Sequence, residues 1–357
     1  MASLIDYKLQ QSILYQLSQN SDPIIRETCT NDAIVAMNSV LKKLTLSNIG
    51  EKTKAISKHV EDLNRDGITL LGRVFTDSQI KDIYNNLEIK KVYNGHVWKN
   101  SDKTPKSLKK IKTDGGLQAS YILDDIITTP HILELANDKK VLSIVQNYLN
   151  CIPTLYQMNL MWNLKNSSVK KTGVAQDFHR DWDTLKSCVL FVYLTDNNKN
   201  SGAHQYIKKT HIHNCQQELR DKIKKDLGVF SRFKKNRLNK DIFHKNNEEY
   251  FRKHGEEICK NHIQTVSAPK GSAFMVDPFG LHRGIPPINE DRLLIWLRYS
   301  FYDNGFNCEI GPVNYKKNKE ELISRLPVIQ ENKTYEYINR AFIDYDFQGN
   351  LPITYKT

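Results

Sequence analysis

No stretch of the chain approaches the ~18 consecutive apolar residues of a membrane-crossing helix, so no membrane span is expected. Cysteine pairing is also missing. The six cysteines (Cys29, Cys151, Cys188, Cys215, Cys259 and Cys308) lie far apart and none forms Cys-x-x-Cys. Reduced, mostly structural thiols are expected. The first twenty residues carry Asp6 and Lys8 among scattered apolar positions. They lack the basic segment and apolar run of a secretory leader, so a cytoplasmic location is expected. There is no internal repeat and no low-complexity tract. What is present is an ordinary globular composition, 39% hydrophobic and 26% charged, in 357 residues. That length can bury one large core or two modest ones. The formal net charge of +12 admits nucleic acid, an anionic membrane surface, an anionic substrate or a plain solvated lysine-rich surface.

The first part of the chain reads as helical. Leu9, Ile13 and Leu17 form one stripe, Ile34, Met37, Leu41 and Leu44 a second, with Asn31 or Asp32 as its cap. A third helix spans Lys52 to Asn64 and ends at Gly67. Ile68 to Leu71 is a short strand, and Thr76 with Gln79 forms a capping box before another helix. Lys90 to Gly116 reads as a lysine-rich loop holding Lys103, Lys106, Lys109, Lys110 and Lys112. His131 to Leu149 reads as one helix. Strands are expected at 154–164, where Gln157, Asn159 and Asn163 suggest one wet face. Further strands are expected at 185–194, 203–207, 263–267, 273–276 and 293–301. Between them, 214–262 reads as a helical basic insertion or lid, and two helices follow near 320–325 and 335–342. The insertion could meet a nucleic acid, but from Arg232 to Lys245 it holds only Phe233 and Phe243 as stacking residues.

Two stretches carry chemistry. The first is Gln176-Asp177-Phe178-His179-Arg180-Asp181, and the second runs from Gly271 to Gly284 through Asp277-Pro278-Phe279-Gly280-Leu281-His282. On an extended backbone, residues two apart share a side, so His179 and Asp181 can face one pocket. His282 from a distant strand would complete two imidazoles and a carboxylate. Such a facial triad leaves coordination positions open and suits non-haem Fe(II). Zinc with a bound water is an alternative for the same ligands. It gives no role to Arg292, whose guanidinium could hold the far carboxylate of a dicarboxylate co-substrate. Arg298 shares that strand face and is a second candidate for the same role.

Several blocks, from about Leu63 to about Tyr302, resemble the phytanoyl-CoA dioxygenase-like branch of the Fe(II)/2-oxoglutarate oxygenases. They are Leu63-Asn64-Arg65-Asp66-Gly67-Ile68-Thr69-Leu70-Leu71, then Gln176-x-x-His179-x-Asp181. Tyr193-Leu194-Thr195-Asp196 follows, with Ser201-Gly202 and Lys209-Thr210-His211, and then Gly271 with His282 and Arg292. Lys208-Lys209-Thr210 replaces the family's Pro-Gly-Ser, and Ser272 a common Asp. The resemblance implies a mainly β chain with flanking helices and a double-stranded β-helix (jelly roll, cupin-like) core. Together with the helical stripes at both ends, the expected division is an N-terminal helical region over 1–62, an oxygenase domain over 63–310 containing the 214–262 insertion, and a C-terminal helical extension over 311–357. The resemblance implies iron held by His179, Asp181 and His282, with 2-oxoglutarate and O2 as co-substrates. Arg292 would touch 2-oxoglutarate, Lys165 would either touch it or, the more common case for a lysine, face solvent, and Gln176 would line the substrate pocket. The implied reaction hydroxylates a C–H bond of a small anionic or carrier-linked substrate, releasing succinate and CO2. Asp181 fills the place that related halogenases leave open for a halide. The alternative is a catalytically inactive β-barrel that binds a polyanion or nucleic acid.

Overall fold

A computed structural model of the chain describes residues 14–19, 23–95, 104–165, 176–212, 255–257, 259–303 and 315–343. The stripe residues Leu9 and Ile13 and nearly all of the basic insertion, 214–254, lie outside them. Among the described residues, no helix is long and apolar enough to cross a membrane.

Helix Pro23–Lys43 is continuous, so Asn31 and Asp32 sit inside it and neither is a cap. Proline is tolerated at its first position because an N–H there has no intrahelical acceptor. Helix Lys54–Asp66 begins at Thr53, whose side chain accepts from Ile56 N. It stops at Gly67, whose φ of 78° is the left-handed conformation that glycine adopts without strain. Helix Asp77–Glu88 carries both halves of the Thr76–Gln79 capping box. The expected helix from His131 to Leu149 is instead two, Ile132–Ala136 and Lys139–Leu149. The Asp138 side chain accepts from Val141 N and restarts the second. The expected loop over 90–116 contains helix Leu108–Thr113, capped by Ser107 and anchored by buried Ile111. Here one apolar anchor and a cap outweigh a lysine-rich composition. Lys110 pairs with Asp114 and Lys112 with Asp291.

Among the described residues, ten strands build two antiparallel sheets. They are β1 Ile68–Arg73, β2 Tyr93–Asn94, β3 Gln118–Ser120, β4 Thr154–Asn163, β5 Ser187–Tyr193, β6 His204–Ile207, β7 Ile263–Val266, β8 Ser272–Val276, β9 His282–Gly284 and β10 Arg292–Ser300. The large sheet runs β1-β8-β5-β10-β4-β3-β2 and the small one β7-β6-β9. His179 extends the small sheet by bridging to His282 on β9.

β5 is buried on both faces, as its unbroken apolar run implies. Cys188, Leu190 and Val192 join a core shared with the helices, including Ile34 and Leu41 of the N-terminal helix and Ile329 and Ile338 near the C-terminus. Val189, Phe191 and Tyr193, with Phe274, Leu294 and Trp296, face Tyr206 and Val266 of the small sheet. Period-2 alternation thus divides each central strand between a helix-packed outer core and a chamber between the sheets. Gln157, Asn159 and Asn163 of β4 belong to the chamber side. They are not solvent-facing as the sequence suggested; all three are buried.

Candidate metal centre

The two ligand-bearing segments are joined by backbone hydrogen bonds. His179 N donates to His282 O and His282 N to His179 O, both at 3.0 Å, and Asp181 N donates to Pro278 O at 2.9 Å. This pairing sets the imidazoles side by side, with ring centroids 4.4 Å apart. Extended geometry turns Asp181 to the same side as His179. Arg180 points the other way, donating to Thr210 O at 2.6 Å and to Phe279 O.

Ligating atoms of His179, Asp181 and His282 all lie within 4.8 Å of one another, the one such group among the described residues. His179 Nε2 is 3.7 Å from Asp181 Oδ1, and His282 Nε2 is 3.8 Å from Asp181 Oδ2. Each imidazole is anchored at its other nitrogen. His179 Nδ1 meets Asp177 O at 2.8 Å, and His282 Nδ1 meets Gly280 O at 2.9 Å. A carbonyl can only accept, so the proton sits on Nδ1 and Nε2 keeps its lone pair for a metal. Burial, with His179 close by, lowers the His282 pKa to about 4, which keeps the ring neutral. Burial pushes the Asp181 carboxyl up, but Arg298 and the two imidazoles outweigh it and hold the group below the usual carboxylate range. Two imidazoles and one carboxylate match a divalent transition metal with open positions.

Arg298 has a different place from the one considered for it. Its Nη2 donates to Asp181 Oδ2 and its Nη1 to Asp183 Oδ2, each at 2.7 Å. Its guanidinium therefore steadies the Asp181 carboxylate and is not open to a co-substrate.

Arg292 is open. It is 4% exposed, and no acceptor lies within reach of its Nε or Nη1. Burial lowers its pKa without a carboxylate to offset it. A methyl group built at Gly284, two residues past His282, would lie 2.8 Å from Arg292 Nη2, so the guanidinium sits against β9. Other unsatisfied atoms face the same chamber. Asn163, paired with Arg292 across β4 and β10, and Asn159, paired with Trp296, each have an unpartnered Nδ2. His204, opposite Gly284 on β6, has an unpartnered Nε2 and stacks on His282 at 5.6 Å. Burial, reinforced by His282 and Arg292, keeps His204 neutral. Buried polar groups are seldom left unpaired, and here the unpaired atoms are mostly donors around one cation. That donor set suits a small anionic, oxygen-rich group.

Gln176 is buried at the start of the ligand segment, whereas Lys165 is exposed and only its backbone N is tied down, to Asp291. No described contact joins the Lys165 side chain to the chamber. Asn159, Asn163, His204 and the Arg298–Asp183 pair were missed by sequence reasoning. Polar residues at alternate positions of β4 were the available signal for the asparagines.

Gly280 makes a close approach possible. A methyl group there would meet Tyr206 Oη at 1.8 Å, and that hydroxyl is held by Asp277 O at 2.8 Å. Gly280→Ala is expected to lower stability by about 1–3 kcal/mol, the usual penalty of overpacking, and to weaken metal binding by displacing the His282 bend. Urea melts and metal titration of the variant check both effects.

The chain matches no protein-family model and no curated protein sequence. Solved structures similar to it include EctD from S. alaskensis with 2-oxoglutarate and 5-hydroxyectoine, at TM-score 0.45 and 14% identity, covering 70% of this chain and 79% of that one. HygX from Streptomyces hygroscopicus, with nickel and 2-oxoglutarate bound, matches at 0.42 and 15%, covering 71% and 90%. SnoN, a non-haem alpha-ketoglutarate-dependent epimerase from nogalamycin biosynthesis, matches at 0.43 and 12%, covering 70% and 83%.

Proposed function

We propose that this chain is an Fe(II)- and 2-oxoglutarate-dependent oxygenase of the phytanoyl-CoA dioxygenase-like kind, hydroxylating a C–H bond of a small substrate. The observation that carries this reading is the unpaired, buried Arg292 guanidinium in a donor-lined chamber beside the His179–Asp181–His282 group. A zinc hydrolase reading leaves that cation without purpose. The strand order supports a jelly-roll core: β4-β10-β5-β8 within one sheet faces His179-β9-β6-β7 in the other. In this reading 63–310 is the oxygenase domain, 214–262 its insertion, and 1–62 and 311–357 are helical additions.

His179, Asp181 and His282 would hold the iron, which supplies oxygen activation coupled to decarboxylation of 2-oxoglutarate to succinate and CO2. The protein's own residues do the positioning. The Asp177 and Gly280 carbonyls hold both imidazoles in the metal-binding tautomer. Arg298 fixes the Asp181 carboxylate. Arg292 receives the far carboxylate of the co-substrate, and the Asn159, Asn163 and His204 donors complete its surroundings. Phe191, Phe274 and Trp296 exclude water from the same chamber. Because Asp181 occupies the carboxylate position, no site is left for a halide, and hydroxylation is favoured.

The test is succinate formation from 2-oxoglutarate by purified protein with Fe(II), ascorbate and air. Slow turnover that disappears in His179→Ala is expected. No succinate, together with no anaerobic binding of Fe(II) or 2-oxoglutarate, would overturn the reading in favour of a binding module.

A further inference from the structure

Among the described residues, Arg26 of the N-terminal helical segment touches both segments of the candidate metal centre. Arg26 lies near the start of helix Pro23–Lys43 and is 4% exposed. Its Nη1 donates to Ser18 O and its Nη2 to Thr184 O. The guanidinium lies over the Phe279 ring, 3.9 Å from its centroid, and 5.8 Å from that of Trp182. Arg180 lies over the Phe279 ring as well, at 4.8 Å, and Trp182 meets it edge-on at 5.1 Å. Ser18 Oγ and Gln19 Nε2 donate to Trp182 O at 2.7 and 2.8 Å.

These contacts fall on both ligand segments at once. Trp182 and Thr184 stand one and three residues after Asp181, and Phe279 stands three residues before His282. The two segments also meet directly, through the His179–His282 bridge, the Asp181–Pro278 bond, the Arg180–Phe279 contact and the Trp182–Phe279 ring contact. Burying a second cation beside Arg180 is costly. Burial lowers the Arg26 pKa to about 10, still well above neutrality, so the charge is retained. A methionine or leucine would fill the space without that penalty. A planar cation that stacks on Phe279 while donating in two directions is what this seam uses.

We infer that Arg26 is a positioning residue of the metal centre, clamping the Asp181 segment to the His282 segment through Thr184 O and the Phe279 ring. This inference rests on the metal-site reading. It makes the N-terminal helical segment part of the catalytic unit, not an appendage.

The experiment is Co(II) titration of the full-length protein, following affinity and the d–d absorption band, alongside thermal melts of the metal-free form. Arg26→Gln is expected to bind Co(II) about tenfold more weakly, within the range for outer partners of metal ligands, with an altered band. Arg26→Lys, which keeps the charge but not the fork, should fall between. A folded Arg26→Gln with wild-type affinity and band overturns the inference, even if its melting temperature drops, because a merely structural role predicts that result. Should Arg26→Gln not fold, Phe279→Leu decides: weaker Co(II) binding supports the clamp, and wild-type binding overturns it. Failure of the wild-type protein to bind Co(II) would overturn the metal-site reading itself, a separate outcome.

Discussion

Asp181→Ala is expected to abolish both stable iron binding and iron-dependent turnover. Two imidazoles would remain to hold a divalent cation. The vacated position would also face the Arg298 guanidinium, whose Nη2 sits 2.7 Å from Asp181 Oδ2 in the native protein. Removal of the carboxylate therefore deletes an anionic ligand and leaves a cation aimed at the metal. The loss in metal affinity should exceed the roughly 10–100-fold that outer partners of a ligand contribute. Folding should survive, because Arg298 keeps Asp183 at 2.7 Å. The cost then stays below the about 3–5 kcal/mol expected when a buried charge is left with no partner. Iron content after desalting, succinate yield and a urea melt separate the two effects. Full turnover in a folded Asp181→Ala protein would sink the triad.

Arg292→Met should change stability and co-substrate binding in opposite directions. In the unliganded protein the guanidinium is buried with Nε and Nη1 unpaired, an arrangement that costs about 1–3 kcal/mol per unsatisfied group. Methionine fills similar space without that cost, so the unliganded variant should be the more stable protein. 2-Oxoglutarate loses its charged anchor. Hydrogen bonds to charged groups contribute about 1.5–3 kcal/mol each. Loss of two such bonds corresponds to an increase of roughly a hundredfold or more in the 2-oxoglutarate requirement. The signature is a raised melting temperature that 2-oxoglutarate no longer shifts. An unchanged 2-oxoglutarate dependence would remove Arg292 from the co-substrate site. Arg298 is a poor replacement there because both of its Nη atoms are committed to Asp181 and Asp183.

Much of the local structure was legible. Thr76 with Gln79 marked a helix start, Gly67 a helix end, and the apolar run at 185–194 a strand covered on both faces, because capping and burial are written in neighbouring residues. The errors have physical causes too. Asn31 and Asp32 looked like caps, but Pro23 had already opened the helix. Residues 131–149 share one apolar stripe, yet Asp138 captures Val141 N and breaks the run in two. The lysines of 103–112 suggested a solvated loop, while the one residue that mattered, Ile111, found an apolar partner surface only in the folded chain.

The candidate site divides in the same way. His179 and Asp181 were readable as a pair because two-residue spacing on extended backbone places them together, and the bend at 277–280 marked His282. The sequence by itself therefore determined which residue types gather at the candidate centre and the spacing that brings them together. Tertiary structure alone decided which polar residues on β4 face solvent and which face a chamber. It also decided that Arg298 serves Asp181 while Arg292 stays unpaired, and that Arg26 reaches across more than 150 residues of chain to Thr184. The physical reason is range. Capping and strand alternation act over a few residues, whereas the partner of a buried charge is set by which strands the two sheets bring into register.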